Sequence, residues 1–328
     1  TSHPLENGHE LKDLALPDGS EGRIPMIMDV AARMRTDQPD VALYGLITGP
    51  FTLAMHLAGT GLFVDMFDSP EEVQKLLGFT AEYAKRMAEF YIDAGCDIVA
   101  MVDPMTSQIG PEQFQKFCSQ PAVAVFDRIR EREAKGSFFV CGHAQQNIDV
   151  MCDCHCDNIS IDENIPLDYV RDVCTKKGVS FGGNLQLTVV LLTGDEDDNR
   201  RNAIECMEVG GNKGFILAPG CDVPFATPPR NLQAVSEVVH DEYKRGIARE
   251  LAQHKAEQAI PFDMSEYGDG SRVIVDIITL DSEACAPCQY MVAAADRMRT
   301  AFGDQIEEHE HKVTGRDGIG YMVKLGVG

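Results

Sequence analysis

Basic side chains are scarce in this chain. Its 328 residues hold 52 Asp and Glu against 29 Lys and Arg, a formal charge of −23 with histidines neutral. A nucleic-acid partner would need a local Lys/Arg stripe to overcome that field, and no basic run exceeds two or three residues. Nucleic acid is therefore excluded as an expected partner. Long apolar runs are also missing: nothing approaches the roughly 18 consecutive apolar residues of a membrane span, so no membrane partner is expected. The opening residues Thr1-Ser2-His3-Pro4-Leu5 have neither the basic n-region nor the apolar h-region of a secretory signal, which reads as a cytoplasmic protein. Tryptophan is absent, which decides little, because the 44% hydrophobic and 25% charged composition is that of an ordinary globular chain with enough apolar side chains for a core.

Cysteine, by contrast, is plentiful at eleven residues. In a reducing compartment this number argues for metal binding, redox chemistry or buried small side chains rather than a disulfide framework.

Short β-branched or apolar runs recur at residues 41–47, 97–102, 137–141, 158–161, 179–182 and 214–218. Amphipathic helical stretches separate them, the clearest being 69–94, where Ser69-Pro70-Glu71-Glu72 has the form of an N-cap followed by Pro and first-turn acids. Six such βα units imply an α/β fold with a mostly parallel sheet. The composition resets after Ile260-Pro261, and a second apolar run at 271–280 precedes a helical stretch at 289–302. The expected organisation is a first domain over 1–250, a linker over 251–268 and a small α/β segment over 269–328.

The second segment carries Cys285-Ala286-Pro287-Cys288 between its strand and its helix. A thiolate at a helix N-terminus is stabilised by unpaired N–H groups and the helix dipole, and a second cysteine three positions on can resolve a mixed disulfide. This resembles half of a thioredoxin-type site, with Cys285 as nucleophile and Cys288 as resolving thiol. A metal half-site or two structural cysteines is the plainer alternative. No proline-bearing strand like that family's follows before Gly328.

In the first domain, Phe139-Val140-Cys141-Gly142-His143 ends one expected strand and Pro219-Gly220-Cys221 follows another. In a parallel barrel all strand C-termini open to one mouth, so Cys141, His143 and Cys221 would converge there. Two thiolates and an imidazole suit zinc with a fourth position open, an arrangement that activates a bound thiol. Core filling is the alternative for each cysteine. Cys152-Asp153-Cys154-His155-Cys156 is also dense in metal-ligand types, but it precedes the strand at 158–161 and so falls on the face opposite the mouth. The acidic stretch Gly194-Asp195-Glu196-Asp197-Asp198 reads as a solvated helix start.

The segments Gly45-Leu46-Ile47-Thr48-Gly49-Pro50-Phe51-Thr52, Asp103-Pro104-Met105-Thr106-Ser107-Gln108, Val140-Cys141-Gly142, Ile159-Ser160-Ile161-Asp162-Glu163, Gly183-Asn184 and Ala218-Pro219-Gly220-Cys221 occur in an order that resembles the uroporphyrinogen decarboxylase superfamily. They look most like its zinc-dependent methylcobamide:coenzyme M methyltransferase branch, over roughly residues 4–245. The resemblance implies a TIM-type (β/α)8 barrel and zinc held by an H-x-C pair plus a distant cysteine. Cys141 matches the cysteine of the pair and Cys221 the distant one. Phe139 stands where the pair's histidine would be, so His143, two residues beyond Cys141, is the expected replacement ligand. Asp103 matches an acid at the barrel mouth expected to orient substrate, with Gln108, Asp162 and Asn184 as weaker mouth candidates.

Only six strands precede the second domain where a closed barrel needs eight, so a barrel lacking its first units is expected, with another chain or segment completing it. The implied reaction moves a methyl group from a methylcobamide, presented by a partner corrinoid protein, to a small thiol on zinc. The Cys285/Cys288 dithiol would reduce a neighbouring site or that partner. Two alternatives stand beside it. One is uroporphyrinogen decarboxylase itself, although its polyanionic substrate and N-terminal arginine segment fit poorly with this chain. The other is a non-catalytic scaffold that binds the corrinoid protein, to which Phe139 lends support.

Overall fold

All six apolar runs form strands in the computed structural model, which describes residues 3–255, 272–279, 286–313 and 321. They are β1 (Tyr44–Thr48), β2 (Ile98–Val102), β3 (Lys135–Val140), β4 (Asn158–Ile161), β5 (Ser180–Leu185) and β6 (Phe215–Pro219), ordered sequentially in one six-stranded sheet. The pairings read out from β1 to β5 are parallel, with Gly45 opposite Val99, Val99 opposite Gly136, and Ser137 opposite Asn158. Parallel neighbours require long crossovers, and these are supplied by helices such as Pro70–Asp93, Ser119–Glu131 and Leu167–Lys177. Sequential parallel strands with a helix after each are the (β/α)-barrel arrangement, and every strand C-terminus faces one end.

Packing decides which face is which. The Phe138 ring lies 6.1 Å from Phe114 and 5.5 Å from Phe126, so Phe138 faces the helical layer. Gly136 shares that face because a Cβ there would collide with Phe126, as one on Gly45 would collide with Tyr91. Strand alternation then turns Ser137 and Phe139 to the barrel interior. β1 and β6 are the sheet edges, and on β1 the alternate residues Tyr44 and Leu46 are 46% and 51% exposed.

The helix Pro70–Asp93 forms as expected, with Glu71 and Glu72 in its first turn, but Ser69 makes no side-chain cap. The acidic stretch does start the helix Glu196–Gly210, where Asp198 N donates to Asp195 Oδ1 (2.8 Å) and Asp195 N to Asp198 Oδ2 (3.1 Å).

The chain divides into two compact units, 1–184 with 209–221 and 185–208 with 222–328. In the second, β7 (Val273–Thr279), the helix Ala286–Phe302 and β8 (Ile306–Lys312) make a β-α-β unit with parallel strands. The expected strand and helix are both present, and β8 was not foreseen. Residues 256–271, where the expected linker mostly falls, lie outside the described residues, as does Cys285. Cys288 is in the first turn of Ala286–Phe302, but its side chain lies outside the described ones. Among the described residues no helix is long and apolar enough to cross a membrane.

Candidate functional site

The loops that leave the C-terminal ends of β2, β3, β4 and β6 carry the residues singled out above. Asp103 directly follows β2 and is 2% exposed. Its carboxylate is turned onto the loop that follows β1. Oδ1 accepts hydrogen bonds from Thr52 N (2.7 Å) and Thr52 Oγ1 (2.6 Å), and Oδ2 accepts one from Phe51 N (3.1 Å). These donors are the first turn of the helix Pro50–Ala58, where unpaired N–H groups and the helix dipole attract an anion. Gly49 makes the approach possible, since a Cβ there would overlap the Asp103 carboxylate. Burial pushes the carboxyl up to about 6, against the downward pull of Thr52 and Phe51. Asp103 is therefore held by the protein itself, through the start of the helix Pro50–Ala58.

Cys141, the residue after β3, and Cys221, two residues after β6, are within hydrogen-bonding reach of one another. The contact raises Cys141 far above the ordinary thiol range. The shared hydrogen bond with Cys221 contributes most, then burial, the Cys221 charge and Asp162. In the absence of a cation two adjacent thiols resist losing both protons, and a divalent soft ion reverses that preference. A half-buried thiol pair at the barrel mouth therefore fits a thiophilic metal.

His143 is exposed, and Gly142 between it and Cys141 has φ +77. A left-handed residue there turns the chain away from the strand direction, so the two-residue spacing does not place His143 and Cys141 on one face. Among the described residues no third His, Cys, Asp or Glu donor atom lies within 4.8 Å of both thiols. Phe139 is half-buried on the same interior face that Cys141 extends.

Asp162, at the end of β4, organises this region. Its Oδ2 accepts from Gly142 N (2.8 Å) and Asn164 Nδ2 (2.8 Å), and its Oδ1 from Asn164 N (3.1 Å). It thereby ties the Cys141 loop to the next strand. Asn184 Nδ2 donates to Ile165 O (3.0 Å), and Gln108 Nε2 to Ser107 Oγ (3.1 Å), so both side chains serve the loops around the mouth. Glu163 was passed over in the sequence, yet its carboxylate lies against Gly220, where any Cβ would overlap it, one residue before Cys221. Its place next to Asp162 at a strand C-terminus was the available signal.

The other cysteine cluster sits where expected, between the helix Ile148–Cys152 and the N-terminal end of β4. Cys152, Cys154 and Cys156 are buried, and the Sγ atoms of Cys152 and Cys174 are 3.7 Å apart. His155 points out to Asp127 (2.8 Å) and does not join them.

The family profile described as uroporphyrinogen decarboxylase (URO-D) matches residues 1–242. A methylcobamide:CoM methyltransferase, MtbA, of Methanosarcina acetivorans is 26% identical over 239 residues, covering 72% of this chain and 69% of that protein. A uroporphyrinogen decarboxylase of Carboxydothermus hydrogenoformans is 26% identical over 230 residues, covering 67% of this chain and 65% of that protein. A solved methyltransferase structure from Methanosarcina mazei superposes with a TM-score of 0.67 at 25% identity, covering 74% of this chain and 72% of that one. This chain thus spans about two thirds of the length of such relatives.

Proposed function

The chain belongs to the uroporphyrinogen decarboxylase (URO-D) family, and from that premise we propose that it is a zinc-dependent methyltransferase that moves a methyl group from a methylated corrinoid protein to a thiol. The observation that carries this reading is the Cys141–Cys221 thiol pair at the barrel mouth. It is supported by the similarity to methylcobamide:CoM methyltransferases in sequence and to a methyltransferase in structure.

Cys141 and Cys221 would hold the zinc as thiolates; His143, the nitrogen ligand proposed from the sequence, would have to turn inward from its exposed position to join them. When bound, zinc lowers the pKa of a substrate thiol, so that it is nucleophilic at neutral pH. The chain's own residues position the pair. Asp162 fixes the backbone at Gly142, and Gly220 lets the Cys221 loop approach Glu163. Asp103 acts one step back, as a positioning residue that anchors the Gly49–Thr52 turn at the mouth. In the transfer, the substrate sulfur's lone pair forms the bond to the methyl carbon. The corrinoid would supply the methyl group and keep the electron pair of the bond that breaks, and the thiol proton would leave to solvent. Cys285 and Cys288 are proposed as a dithiol that keeps the partner or the zinc ligands reduced; unchanged turnover of Cys285→Ser under non-reducing conditions would remove that role.

Metal analysis and a transfer assay test the reading. The expected result is zinc lost from the mouth in Cys141→Ser and Cys221→Ser, with methylcobalamin-dependent methylation of thiols such as coenzyme M lost in the same variants. Uroporphyrinogen decarboxylase activity that survives both substitutions would refute it and favour the metal-free carboxy-lyase reading, which rests on the family profile and the decarboxylase relative. Phe139 favours the scaffold reading. Retention of a corrinoid protein by a chain that binds no zinc and transfers no methyl group would establish that reading instead. Phe139→His, which places an imidazole on the interior face two residues from Cys141, should tighten zinc binding.

A further inference from the structure

β8 alternates in character, with Glu307, His309 and His311 on one face and Glu308, Glu310 and Lys312 on the other. The helix Ala286–Phe302 lies on the second of these faces, where Arg299 reaches Glu308 at 3.8 Å. On the first face Asp276 of β7 is the register partner of His309. The Asp276 and His311 side chains are 9% and 11% exposed, and that of His309 is 31% exposed. His311 Nε2 is 2.6 Å from Asp276 Oδ1, and His309 Nδ1 is 3.8 Å from the same oxygen. One donor atom from each of the three lies within 4.8 Å of the other two.

We propose that Asp276, His309 and His311 form a binding site for a divalent transition-metal ion of the zinc class, distinct in its residues from the Cys141–Cys221 pair. The donor set is two imidazoles and one carboxylate, which suits borderline ions such as Zn²⁺ or Co²⁺ better than the all-oxygen preference of Ca²⁺ or Mg²⁺. Ligands bound to one such ion at about 2.0–2.2 Å sit roughly 3–4 Å apart. The 3.8 Å between His309 Nδ1 and Asp276 Oδ1 is too long for a hydrogen bond and matches that spacing, whereas the 2.6 Å contact of His311 Nε2 with Asp276 Oδ1 is a direct hydrogen bond that a bound ion would replace.

The surroundings are those of a ligand set. The far nitrogen of His309, Nε2, is 3.1 Å from Glu307 Oε1, and a carboxylate on the second ring nitrogen fixes the tautomer that leaves Nδ1 free to ligate. Tyr321 stacks on His311 with ring centroids 3.7 Å apart and an interplanar angle of 19°, which holds that imidazole in plane. Both histidines and the aspartate stand on paired strands rather than loops, so backbone pairing sets their spacing. Three protein ligands leave at least one position for water or a further group.

The test uses the full chain with Cys141, Cys221, Cys285 and Cys288 all changed to Ser, so that these thiols cannot bind the probe. Titration with Co²⁺, followed by its visible d–d absorption, should show one site per chain without a thiolate charge-transfer band. His309→Ala, His311→Gln and Asp276→Asn should each weaken binding at least tenfold, with Zn²⁺ competing at the same site. Glu310→Gln, on the opposite face, should bind like the parent and so separates ligand loss from loss of fold. Absence of Co²⁺ binding in the parent would overturn the proposal, as would binding unchanged in both histidine variants.

Discussion

A methyl group on Gly49 should break the contact that organises the start of the helix Pro50–Ala58. Gly49 has φ −68 and ψ 156, a conformation alanine adopts freely, so the cost of Gly49→Ala is steric. Its Cβ would overlap Cβ, Cγ and Oδ2 of Asp103, whose carboxylate has no space to yield at 2% exposure. Displacing it strips the acceptor from Phe51 N, Thr52 N and Thr52 Oγ1. A buried donor left unpaired costs about 1–3 kcal/mol, and partial relaxation should keep the total near ~3 kcal/mol. Asp103→Ala deletes the same acceptor and should cost a similar ~3 kcal/mol. In the double variant the new methyl occupies the room the carboxylate vacates, so the loss should remain about 3–4 kcal/mol instead of summing to ~6, a coupling of roughly 2–3 kcal/mol. Urea unfolding with the m-value checked for constancy measures all four corners of this cycle. Additive losses, or a Gly49→Ala variant as stable as the parent, would refute the proposed packing of Gly49 against Asp103.

Asp103 should also leave a signature in pH. Burial raises its folded pKa from 3.8 to about 6, so the native state binds the extra proton in that window. The stability this contributes relative to Asp103→Asn should be complete below the unfolded pKa and lost as pH rises through the folded one; a gap that widens with pH contradicts the assignment. Asn147→Ala should cost about 1–3 kcal/mol, because the buried amide donates to both Thr106 O and Ile109 O at 2.9 Å and fixes the loop after β2; chemical denaturation checks this. Cys154, which burial raises to about 12, and Cys156, raised further by the same cause, should resist alkylation in the native protein and label only in denaturant, as read by mass spectrometry; rapid native labelling would show that this end of the sheet is open.

Zinc at the mouth has a further consequence. If Cys141 and Cys221 bind it as thiolates, zinc should protect both from alkylation, and its removal by a chelator should not restore the reactivity of Cys141 fully, because contact with Cys221 then holds the Cys141 thiol protonated. Equal alkylation rates with and without zinc would disprove their role as ligands.

Local sequence determined the barrel's strands and the end at which its chemistry gathers. Parallel strands buried on both faces must be apolar runs, which is why Asn158–Ile161 has the same bounds in the sequence and in the fold, and why the convergence of Cys141 with Cys221 follows from strand order. β8 escaped notice because Ile306–Lys312 reads as charged and histidine-rich, and it becomes a strand only by pairing along β7. Tertiary structure alone decided where side chains turn once the strands end. Periodicity stops there, so Asp103 is drawn onto the open N–H groups of the helix Pro50–Ala58, and the left-handed Gly142 carries His143 outward. Gly49 and Gly220, which look like ordinary loop glycines, are the points where a missing Cβ admits a carboxylate from a distant strand. Such contacts depend on the shape of the packed barrel and have no periodic signal of their own.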